Sequence, residues 1–65
     1  MIGLRIKEMR IAKGITQKDL AKALSVTFQA VSLWEKDKTL PDIENIKQIC
    51  KFFGESADYL LGLED

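Results

Sequence analysis

Only three residues, Ser25, Val26 and Thr27, separate two short stretches whose apolar residues recur at helical spacing, and nothing else in the chain constrains its fold as tightly. Before the gap, Leu20, Ala21 and Leu24 line one side of a helix that Thr16 can cap, with Asp19 three residues on in a variant of the capping box. After it, Thr27 can cap a helix running through about Lys36, with Ala30, Val31 and Trp34 on one side. Two helices joined by so tight a turn must cross steeply. The crossing needs a small residue at the point of approach, a turn residue and an apolar seam. Ala21 supplies the first and Ser25 the second, and Leu20, Leu24, Val26, Val31 and Trp34 supply the third.

The remaining periodicity is helical as well. Ile2, Ile6 and Met9 mark a first helix that stops at Gly14. Asp37 to Pro41 reads as a loop, because proline disfavours helical geometry in the residue before it and suits a helix start after it. Asp42 can cap a fourth helix whose stripe is Ile43, Ile46, Ile49, Cys50 and Phe53, ending at Gly54. A last short helix can start at Ser56, with Asp58 in its first turn, carry Leu60 and Leu61, and stop at Gly62. No strand alternation or internal repeat competes, so the pattern predicts an all-α chain of five short helices forming one domain over residues 1–65.

At 65 residues the chain can bury only about 60% of its unfolded surface, which leaves room for one thin core and no enclosed substrate cavity. One cysteine and no histidine remove disulfide frameworks, His-based triads and the usual zinc sets. Asp19, Glu35 and Asp42 are acids with no nucleophile or ligand pattern beside them, so neither enzymatic chemistry nor a cofactor is expected. Cys50 lies on the fourth stripe as a small hydrophobe, with a redox switch as the alternative. No apolar run approaches the ~18 residues of a membrane span, and no signal-peptide pattern opens the chain, so a reducing, cytoplasmic setting without a membrane partner is expected.

Ten basic and ten acidic residues balance overall, but not along the chain. Residues 1–38 carry eight bases against four acids, and residues 39–65 carry two against six. Such a chain can present a basic face to a polyanion while its other end is repelled; a mixed solvated surface is the alternative. The third helix adds an independent signal. On a helical wheel Phe28, Gln29, Ser32, Leu33 and Lys36 fall in an arc of about 140°, and Ala30, Val31 and Trp34 in a separate arc of about 100°. If the second arc enters the core the first faces outward, and two of its five residues are large and apolar where a solvated face would favour Lys and Glu.

With these pieces in place, TQKDLA, VTFQAVSLWEK, the Pro41 before helix four and SADYLLG near the end, the chain resembles the helix-turn-helix domains of the Cro/CI phage-repressor family, also called the XRE type. The resemblance covers nearly the whole chain and implies a compact five-helix, lambda-repressor-like fold in which helices two and three form the helix-turn-helix. It departs at Ser25, where the family usually has glycine; a left-handed serine there costs roughly 1 kcal/mol.

The implied function is sequence-specific binding of double-stranded DNA by a transcriptional regulator, most simply a repressor, with helix three in the major groove. Gln29 can then pair with adenine, Phe28 and Leu33 can meet thymine methyl groups, and Ser32 and Thr27 can serve bases or phosphates. Thr27 is equally a plain helix cap. Gln17, at the start of helix two, and Lys36 and Lys38, after helix three, are phosphate candidates; the lysines read alternatively as solvated charge. Arg10 and Glu35 stand at the border of the expected core, and the resemblance implies a partly buried structural ion pair between them. One such helix reads too few base pairs for a genome, so a homodimer on a two-fold operator is expected; the resemblance implies a contact region from Glu55 to Leu63, with Tyr59, Leu60 and Leu63 as candidates. The rival reading is a protein-interaction module, an antitoxin-like or regulatory partner that docks through Phe28 and Leu33.

Overall fold

The chain stops and restarts its helices by local chemistry that the computed structural model shows residue by residue over residues 2–63. The elements are α1 (Ile2–Lys13), α2 (Gln17–Leu24), α3 (Phe28–Glu35), α4 (Ile43–Phe53) and α5 (Ala57–Leu60), with no strand among the described residues. Four of the starts are capped by the side chain of the residue just before the helix. Thr16 Oγ1 accepts the Asp19 N–H at 3.0 Å while Asp19 Oδ2 accepts the Thr16 N–H at 2.9 Å, a reciprocal box at the head of α2. Thr27, Asp42 and Ser56 accept the N–H of Ala30, Asn45 and Tyr59 in the same manner.

Each helix ends on a residue with positive φ: Gly14, Ser25, Asp37, Gly54 and Gly62. In every case the next N–H reaches a carbonyl five positions back: Ile15 to Arg10, Val26 to Ala21, Lys38 to Leu33, Glu55 to Cys50 and Leu63 to Asp58. This is the Schellman closure, which satisfies carbonyls the helix leaves open. Ser25 and Asp37, both at φ 57°, are the two non-glycine cases, and each costs roughly 1 kcal/mol that the surrounding packing must offset.

Helix α3 packs against both α1 and α2; α4 packs on α2, and α5 on α1 and α4. One side chain from each helix has no exposed surface: Ile6, Leu20, Val31, Ile49 and Leu60. Met9, Ala21, Leu24 and Trp34 complete the buried cluster, and Val26, in the tight turn, packs against it. At the other end of α3 the first turn of α1 comes close. A Cβ on Gly3 would lie 2.3 Å from the Trp34 carbonyl oxygen and 2.8 Å from that of Glu35, so only glycine fits there. The Gly3 N–H donates to Asp37 Oδ1 at 3.0 Å, so the residue that closes α3 also caps α1.

Three apolar positions fall elsewhere than the spacing predicts. Ile43 lies on the α4 stripe but is 74% exposed, because the residues of α4 that pack on the core begin at Ile46. Phe52, off the stripe, packs against the core edge-on to Phe53 with ring centroids 5.0 Å apart, and Lys13 Nζ lies 5.0 Å from its ring centroid. Leu61 lies just past the short α5 and is exposed, unlike Leu60. Cys50 is half-buried against the core, where burial pushes its thiol pKa up, with the Glu55 carboxylate adding to the effect. No helix of the described residues is long and apolar enough to cross a membrane.

Gly3→Ala is expected to lower stability by about 2–3 kcal/mol in urea unfolding, by overpacking against the α3 carbonyls; a loss under ~0.5 kcal/mol would show that the contact yields freely. The Thr16 backbone N–H, helped by its hydroxyl, holds the Asp19 carboxyl below the usual carboxylate range. Because the folded-state value is the lower one, this cap contributes stability above the unfolded carboxyl pKa of about 4 and loses it as pH falls through the folded value. Asp19→Asn should therefore show a shallower loss of urea midpoint than the parent between neutral and strongly acid pH, and identical acid limbs would remove Asp19 from the account.

Candidate nucleic-acid interface

Helix α3 has one face held and one face free. Val31 and Trp34 are buried and Ala30 is half-buried against the core, which turns the opposite arc toward solvent. On that arc Phe28 and Leu33 are each 41% exposed, a large apolar area for a surface helix, and Gln29 stands exposed beside them. Ser32 is half-buried, at the edge of the arc. Lys36 and Lys38 are exposed on the closing turn of α3, and Thr27 is exposed at its start. The Thr27 hydroxyl oxygen accepts the Ala30 N–H at 3.2 Å, which leaves its proton available to an outside acceptor. The structure thus brings six of the eight proposed nucleic-acid residues onto one exposed margin, from Thr27 to Lys38, with Ser32 set deeper.

Gln17, the eighth, is half-buried and already engaged: its Nε2 donates to Glu35 Oε1 at 3.0 Å. One N–H of its amide remains, and the N–H groups of the first turn of α2 lie beside it. The structure joins Arg10 to Glu35 by two hydrogen bonds, Nε to Oε2 at 2.7 Å and Nη2 to Oε1 at 3.2 Å. Arg10 Nη1 also donates to the Ile15 carbonyl at 2.9 Å. The Glu35 side chain is only 4% exposed and that of Arg10 14%. Its hydrogen bond to Glu35 raises the Arg10 pKa, with burial opposing this only in part. The network ties α1, the α1–α2 loop, α2 and α3 at one point, and no buried side-chain nitrogen or oxygen among the described residues lacks a partner.

Besides the Gln17–Glu35 bond, two further contacts bearing on α3 escaped the sequence. The carboxylate of Asp37 reaches across 34 residues to Gly3, and Lys18 Nζ stands 5.4 Å from the ring centroid of Phe28. Neither leaves a periodicity signal, since each joins two elements through their relative placement.

Glu35→Ala is expected to cost about 3–4 kcal/mol in urea unfolding, since it leaves the Arg10 guanidinium and the Gln17 amide without their acceptor. A change below about 0.5 kcal/mol would place the pair among weak surface contacts.

Residues 6–60 match the helix-turn-helix family. The HTH-type transcriptional activator BcrR of Enterococcus faecalis is 39% identical over 61 residues, covering 94% of this chain and 30% of BcrR. Repressor protein CI of Enterobacteria phage phi80 is 43% identical over 63 residues, covering 97% of this chain and 26% of the repressor. The chain therefore spans less than a third of the length of either relative. Among solved structures, the P22 c2 repressor protein in complex with synthetic operator 9T superposes with a TM-score of 0.88 at 37% identity, covering 92% of this chain and 91% of that one.

Proposed function

We propose that this chain, which belongs to the helix-turn-helix family, binds duplex DNA sequence-specifically through α3 in the major groove and regulates transcription, as a repressor. The observation that carries the reading is the exposed arc of Phe28, Gln29 and Leu33 on a helix whose other face is buried, in a fold that superposes on a repressor solved with its operator. Gln29, the second residue of α3, pairs with adenine N6 and N7; Phe28 and Leu33 meet thymine methyl groups, and Ser32 reaches a base from the edge of the arc. The Thr27 hydroxyl, the remaining Gln17 N–H, Lys36 and Lys38 hold phosphates on either side. Arg10 and Glu35 stay structural and fix the angle at which α3 leaves the body of the protein. The reading is non-enzymatic and needs no cofactor.

Specificity in a genome supports a homodimer on a two-fold operator. Leu60 is not part of its interface, because the structure places that side chain wholly inside the chain's own core. Leu63, 73% exposed, and Tyr59, half-buried with the Arg5 guanidinium 4.4 Å from its ring centroid, remain in the proposed contact region, and the exposed Leu61 joins them.

Selection of bound duplexes from a random pool, followed by affinities at several salt concentrations, tests the reading. A two-fold site with half-sites about one helical turn apart and affinity falling steeply with salt is expected. Gln29→Ala should cost about 1–3 kcal/mol on that site and relax preference at one base position, whereas Lys38→Ala should weaken all duplexes alike and lower the salt slope. Selection of no sequence, with salt-insensitive binding only, would overturn it.

A further inference from the structure

Phe28 is the first residue of α3, the position from which such a helix reaches base edges, and the residue is two-fifths exposed. The apolar feature that a major groove offers such a ring is a methyl group on pyrimidine C5. A ring that turned freely would read that methyl poorly, and the structure supplies a restraint from outside α3. Lys18, the second residue of α2, places its ammonium 5.4 Å from the centroid of the ring. Lys18 is exposed and forms no ion pair with a described carboxylate, so the ammonium keeps donors free beyond the ring. It also stands in the first turn of α2, whose N-terminal N–H groups favour an anion. A cation 5.4 Å from the centroid of an exposed apolar ring matches one nucleotide unit: a phosphate and a methylated base.

We propose that Lys18 and Phe28 form a composite subsite for a C5-methylated pyrimidine nucleotide, thymidine or 5-methylcytidine, in which Phe28 meets the methyl group and Lys18 both steadies the ring and holds the phosphate. Lys18 is thus a positioning residue for base readout as well as a phosphate ligand, and methylation of cytosine at that position strengthens binding. The inference rests on the DNA-binding reading given above.

The test uses the duplex chosen by selection, with each thymine replaced in turn by deoxyuridine, which removes only the methyl group, and with cytosine or 5-methylcytosine placed at the sensitive position. The parent protein should lose about fourfold in affinity at one thymine per half-site, the value of one buried methyl group, and should prefer 5-methylcytosine over cytosine there by a similar factor. Phe28→Ala should abolish both effects. Lys18→Met, which keeps the aliphatic stem and removes the charge, should shrink the methyl effect below about twofold and lower the salt slope by one phosphate. Thermal melts of both variants separate loss of fold from loss of readout.

If Lys18→Met weakens thymine and deoxyuridine duplexes equally and the fourfold effect persists, Lys18 is an independent phosphate contact and the composite subsite is overturned. A methyl effect that survives Phe28→Ala overturns it as well, by placing the reader elsewhere. If a duplex is selected but no thymine in it is methyl-sensitive, this inference alone fails; if none is selected, the DNA-binding reading fails and takes the inference with it.

Discussion

The Glu35 carboxylate joins three helices that share little else in polar contact. It accepts from Arg10 of α1 twice and from Gln17 of α2 once, and it sits at the last residue of α3, almost wholly out of water. A carboxylate in that position is tolerable only because every lone pair direction it uses meets a donor. That requirement makes the point geometrically demanding: α1, α2 and α3 satisfy it together in one arrangement. Hydrophobic contacts among Ile6, Leu20 and Val31 draw the helices together but would accept small slides. The charge network is what selects among them.

The ends of α3 are held by a second device. Ser25 before it and Asp37 after it are the two described residues that adopt the left-handed conformation without being glycine. Backbone strain on both sides of one helix persists because each strained residue completes a closure: Val26 and Lys38 reach back to satisfy helix carbonyls. Asp37 does more, since its side chain caps α1 at Gly3, where α1 approaches too closely for any Cβ. For the proposed reading, in which α3 meets a duplex in a fixed register, such anchoring is an advantage, because a site built on a held element presents its side chains reproducibly.

The charge division along the chain fits the same architecture. Phe28, Gln29, Leu33, Lys36 and Lys38 all belong to the part of the sequence with excess base, while the segment carrying excess acid forms α4 and α5. Those two helices cover the core from the side of α2 and α1, and contribute Ile49 and Leu60 to it. On the proposed DNA-binding reading, a charge division of this kind favours approach of a polyanion by the basic part of the chain.

Much of this was legible without coordinates, for a physical reason. Caps, turn residues and 3.6-residue periodicity are local, so Thr16, Thr27, Asp42 and Ser56 mark helix starts, and the separate arcs of α3 mark its inner and outer faces, from neighbours alone. Depth and cross-chain contact are not local. Ile43 keeps the spacing of a core residue yet lies beyond the packed stretch, while Leu60, offered by sequence as a contact for a second copy, is sealed inside. The bond from Gln17 to Glu35, the cap from Asp37 to Gly3 and the placement of Lys18 over Phe28 join residues 10 to 34 positions apart. The sequence by itself determined where each helix starts, stops and turns its apolar side, because those choices depend on a few adjacent residues. Which side chains meet across helices was decided by the tertiary structure alone, because that depends on how five short cylinders settle against one another.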